Sequence, residues 1–105
     1  MSPLREQLDE VVGKIGTAYL EVGADHGASP VLVAVVREFE AEAEAATART
    51  AVVAEDAGAR EAIVELEQAG DSAKAAAEAD PALGGPALHA VLDAHLAICM
   101  LKASM

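Results

Sequence analysis

The sequence predicts an all-α fold, an antiparallel bundle of three to four helices. Three observations predict it. Apolar residues recur at spacings of three and four along most of the chain. Alanine, the strongest helix former, fills 26 of the 105 positions. Ser-Pro and Gly/Pro signals stand where helices would begin and end.

Ser2-Pro3 opens the first helix, expected over 3–22, because serine caps free N–H groups and proline tolerates the first helical position. Its apolar stripe is Leu4, Leu8, Val11, Ile15, Ala18/Tyr19 and Val22. Gly13 and Gly16, three apart inside this helix, suggest a close backbone approach. Gly23 to Ala28 then reads as a loop.

Ser29-Pro30 repeats the start signal for a second helix, expected over 30–56. Its first turns, Val31 to Val36, are apolar on every side, and a helix apolar all round is buried all round. The β-branched run would also suit a strand, but no second strand is available to pair its backbone groups. Further on, Leu32, Phe39, Ala46 and Val53 form one series, with Val36, Ala43, Thr50 and Ala57 beside it.

A third helix is expected over 58–79, with Ala59, Ala62/Ile63, Leu66, Ala69/Gly70, Ala73 and Ala76/Ala77 as its stripe. The two stripes differ in phase by one residue, which suggests a turn or kink at Glu55–Gly58; Gly70-Asp71-Ser72 is a second candidate break. One continuous helix over 30–79 is the competing reading, and it would be roughly 75 Å long. Asp80 to Pro86 holds two glycines and two prolines and ends any helix. Pro86 opens the last helix, expected over 86–103, with Leu88, Val91/Leu92, His95, Ile98/Cys99 and Lys102 on successive turns.

A chain of this length is expected to form one domain over residues 1–105 and to bury about 65% of its unfolded surface. Phe39 and Tyr19 are its only aromatics, so much of the core must be methyl groups, each contributing little area. Either the helices pack very closely or a second copy supplies burial. The expectation is a homodimer, with Val31, Leu32, Val35, Val36 and Phe39 at the interface.

The formal charge of −11 argues against binding nucleic acid through its phosphates and against an anionic membrane surface. It suits a soluble protein with, at most, a basic protein partner. No stretch reads as a secretory leader or a bilayer span, and the single Cys99 permits no internal disulfide. The expected compartment is the cytoplasm.

The sharpest chemical signal lies in the last helix, where His95 and Cys99 are four apart and share a face. Imidazole and thiolate together suit zinc or copper, with His89 as a further candidate ligand on the same helix. Locally, Leu88–Cys99 resembles the ligand helix of the copper- and formaldehyde-sensing helical repressors. That family also carries a second cysteine on another helix and a basic DNA-facing surface, where this chain has one cysteine and a net negative charge. Plain side-chain packing explains the same pair, with cysteine acting as a small hydrophobe, and neither a metal nor any other cofactor is expected.

His89 and Asp93 read as a helix-surface pair. Glu38, Glu40, Glu42 and Glu44 read as a solvated acidic surface, since no Glu-x-x-His motif turns them into a di-metal site. His26 lies in a loop with nothing to position it. No phosphate-binding glycine loop, nucleophile elbow or paired Cys-x-x-Cys appears. The expected function is therefore non-enzymatic: a self-associating helical interaction protein of adaptor, chaperone or regulatory type. The alternative is a small metal- or ligand-binding protein that uses the last helix.

Overall fold

The computed structural model describes residues 3–52 and 56–105, which form four helices: α1 (Pro3–Ala24), α2 (Pro30–Val52), α3 (Asp56–Glu78) and α4 (Gly85–Ala103). The expected Ser2 cap, Val53 and the Glu55 part of the expected turn lie outside the described residues. Among the described residues there is no strand, so the Val31–Val36 run is helical, as its lack of a strand partner required.

The starts of α2 and α4 follow from local chemistry. The Ser29 hydroxyl accepts the Leu32 N–H at 3.2 Å and caps α2. Proline stands within the first two positions of α4, where its missing donor costs nothing. Helices α2 and α3 pack side by side, as do α1 with α2, α3 with α4 and α1 with α4, while among the described residues the backbones of the two diagonal pairs do not approach each other. The molecule is 42 Å long, so a single 75 Å helix over 30–79 does not form. The second candidate break also fails. Helix α3 runs straight through Gly70-Asp71-Ser72, and Gly70 is buried beneath two other helices.

The direction of the helices is fixed at one end by two aspartates in a reciprocal clamp. Asp25, after α1, accepts the Gly27 N–H with one oxygen and the Gly84 N–H with the other, each at 2.8 Å. Asp80, after α3, accepts the Ala82 N–H at 3.2 Å and the Ser29 N–H at 2.8 Å. Each carboxylate thus closes its own turn and holds the opposite loop. The Ser29 hydrogen bond, first among several, holds the Asp80 carboxyl below the usual carboxylate range. Gly27 is required here, because a Cβ at that position would run into the Ala82 carbonyl. Since both loops sit at this end, neighbouring helices run antiparallel all the way round the bundle.

The core runs down the centre. Helix α1 contributes Leu8, Val11, Ile15, Ala18 and Val22, and α2 contributes Leu32, Val36, Phe39, Ala43 and Ala46. From α3 come Ala59, Ala62, Ile63, Leu66, Ala73 and Ala77. These are the stripes that the spacing predicts. Phe39 is the largest buried side chain and packs on Gly70, where an added Cβ would lie 3.1 Å from the phenyl ring and 3.3 Å from Ile98. Gly13 and Gly16 play no such part: nothing lies within 4 Å of a Cβ at either, so the expected close approach in α1 is absent.

Two expectations need correcting. Leu32, Val36 and Phe39 are fully enclosed by their own protomer and present no surface for an interface; Val35 is half-buried, and of the five only Val31 is well exposed, at 69%. The packing of α1 and α3 on either side of α2 supplies the cover that a second copy was expected to give. The stripe of α4 is also rotated by one position. Its buried residues are Ala87, Val91, Ala94, Ile98 and Leu101, leaving Leu88, Leu92, His95 and Cys99 half-buried at its flanks.

Candidate functional site

The rotation of α4 gives the helix two distinct flanks. Towards α1 and solvent, Leu92, Leu96 and Met100 follow one another every fourth residue. Leu96 and Met100 are 56% and 63% exposed. The other helices expose one such side chain each among the described residues: Leu20 on α1, Val31 on α2 and Val64 on α3. A groove of about 420 Å³ runs between α1 and α4, bounded by Val11, Lys14, Leu96, Ala97 and Met100.

Charge separates α4 from the rest of the molecule more sharply still. Of the 18 carboxylate residues in the chain, α4 carries one, Asp93, and its formal charge is cancelled by Lys102. Asp93 pairs with Lys14 of α1 at 3.4 Å rather than with His89, so the expected His89–Asp93 pair does not form. By length and composition α4 also meets the test for a bilayer-spanning segment, correcting the expectation that no stretch does. In the bundle one side of it is core and another is this exposed row.

Towards α3, α4 presents His95, Cys99 and Lys102, and α3 answers with Glu67 and Asp71. Both helices use the i, i+4 spacing, and their antiparallel packing brings the two pairs together. His95 Nε2 lies 2.7 Å from Asp71 Oδ1 and 3.5 Å from Cys99 Sγ. Lys102 Nζ donates to Glu67 Oε1 at 2.7 Å. Burial, and then the charges of Glu67 and Asp71, push the Cys99 thiol up. The Lys102 ammonium is pushed up chiefly by its hydrogen bond to Glu67.

The geometry differs from that of a nucleophilic relay. A Cys-His-Asp relay places thiol and carboxylate on opposite ring nitrogens. Here Asp71 lies on Nε2 and Cys99 Sγ is also nearer that nitrogen, at 3.5 Å against 4.0 Å from Nδ1, and a raised thiol pKa opposes thiolate formation. The structure therefore unites His95 with Cys99, as their spacing predicts, and adds Asp71, which reads from sequence only as a helix break. His89 stands apart, exposed on the α1 side near Thr17 and Glu21. His26 is exposed in the loop after α1. Glu38 and Glu42 line an open acidic groove with Glu65 of α3.

Comparison with known proteins finds no protein family, no curated protein and no solved structure that matches this chain.

Proposed function

We propose that this chain is a helical interaction protein that works by association rather than catalysis, and that it pairs with a second copy of itself through the α1-facing flank of α4. One observation carries the reading: the one helix that is almost free of carboxylates exposes two large apolar side chains a single turn apart, Leu96 and Met100. A contiguous apolar row on a bundle surface is a contact surface in search of cover. In a chain of net charge −11, a second copy meets repulsion from the acidic helices and least from α4.

A two-fold axis through α4 would set Leu92 and Leu96 against their own copies while α2, diagonally opposite, keeps its four glutamates in water.

Sedimentation or light scattering at micromolar concentration tests this. The chain is expected to run as a dimer, and the double variant Leu96→Asp/Met100→Asp as a monomer of unchanged helicity, with association weakened at least about ten-fold. A monomeric wild type overturns the proposal, and so does a double variant of unchanged mass. Flotation with lipid vesicles of a monomeric wild type would reassign the row to a membrane.

A further inference from the structure

We infer that Asp71, His95 and Cys99 form a divalent-metal site suited to Zn(II), bridging α3 and α4 on the flank away from the apolar row. The three donor atoms lie within 4.8 Å of one another. Their arrangement is more telling than their proximity. Around a tetrahedral zinc, Zn–S of about 2.3 Å and Zn–N of about 2.05 Å put sulfur and nitrogen about 3.5 Å apart. Cys99 Sγ and His95 Nε2 stand at 3.5 Å already. A zinc-bound nitrogen and carboxylate oxygen stand about 3.3 Å apart by the same geometry. Asp71 Oδ1 and Nε2 are at 2.7 Å, so that edge must lengthen by about 0.6 Å, and the Asp71 side chain is 62% exposed and free to adjust.

The other two donors both lie nearest His95 Nε2, Asp71 Oδ1 at 2.7 Å and Cys99 Sγ at 3.5 Å, against 4.0 Å from Sγ to Nδ1. The donor set of thiolate, imidazole and carboxylate fits Zn(II); copper(I) would favour softer donors than a carboxylate. Binding takes the proton from the Cys99 thiol into solvent and requires Nε2 without its hydrogen, so uptake of metal releases protons and strengthens as pH rises. The cation would reverse the local electrostatics, turning the nearby Glu67 and Asp71 carboxylates from an obstacle to thiolate formation into partners of a positive centre. Glu67 stays paired with Lys102 beside the site, and water takes the fourth position on the exposed Asp71 side.

The test uses the full chain, stripped with chelator, titrated first with Co(II) and then with Zn(II). One equivalent of Co(II) is expected, with a thiolate-to-cobalt charge-transfer band that Zn(II) abolishes. Cys99→Ser removes the band, and His95→Gln and Asp71→Asn each weaken Zn(II) binding at least about ten-fold, whereas Glu42→Gln on α2 changes nothing. Absence of the charge-transfer band overturns the inference. So does equal Zn(II) binding by wild type and all three site variants, which would mark diffuse binding to an acidic surface. Association through the α1-facing flank is read by mass, so each proposal fails on its own evidence.

Discussion

Helices α2 and α4 are the two most apolar stretches of the chain, and the bundle treats them in opposite ways. The Val31–Val36 run lies between α1 and α3, and its larger side chains are enclosed: Leu32, Val36 and the neighbouring Phe39 have no exposed surface. Helix α4 buries mainly small or β-branched residues, Ala87, Val91, Ala94 and Ile98, and leaves Leu96 and Met100 in water. Both helices have two packed neighbours, so neighbour number does not account for the contrast. Side-chain distribution does. Helix α2 becomes alanine and glutamate after its first turns, which gives it a solvated side. Helix α4 stays apolar nearly all round, and two neighbours cannot cover every side of it. An apolar count alone therefore does not locate an interface; what matters is apolar surface left over after the protomer has folded.

The contrast can be broken most forcefully at Phe39. Phe39→Ala empties the centre of the bundle and is expected to cost about 3–5 kcal/mol in denaturant unfolding, because Gly70 offers no side chain to refill the space. Leu96→Ala removes a comparable apolar group from α4 and is expected to change protomer stability by less than about 0.5 kcal/mol, measured at a concentration where the chain is monomeric. Equal costs at the two positions would erase the distinction between a core helix and a surface helix.

A subtler comparison sets the clamp against both. The Asp80 carboxyl is held low by its hydrogen bond to Ser29, so its contribution is present above the ordinary carboxylate pKa and fades as pH falls through the depressed value. Asp80→Asn should lower the thermal midpoint at neutral pH, and the gap from wild type should close on acidification below about pH 4. A gap that widens in acid would contradict the clamp. The variant should leave association unaffected, because the clamp does not touch the Leu96–Met100 row.

Much of this architecture was legible in residue spacing and much was not, for identifiable reasons. The stripes of α1, α2 and α3 could be followed because polar residues interrupt them at helical intervals, and the stops at Asp80–Pro86 are chemically explicit. The stripe of α4 was misplaced by one position because its flanks are as apolar as its core face, which leaves no polar boundary to set the phase. The His95–Cys99 pair could be recognised from the i, i+4 rule alone. Asp71 could not, since its meeting with His95 depends on how α3 registers against α4. The residue beside it misled as well. Gly70 suggests a helix end, yet it is there to admit Phe39 and Ile98.

The two interlocked aspartates have a mechanical consequence. They fasten the α1–α2 loop to the α3–α4 loop, while further along α2 and α3 are tied by Arg49, which pairs with Glu65 at 2.8 Å and Glu61 at 3.8 Å. Each carboxylate carries one of the two hydrogen bonds between these loops, so loss of either aspartate leaves the other bond in place and this end slackens in steps rather than all at once.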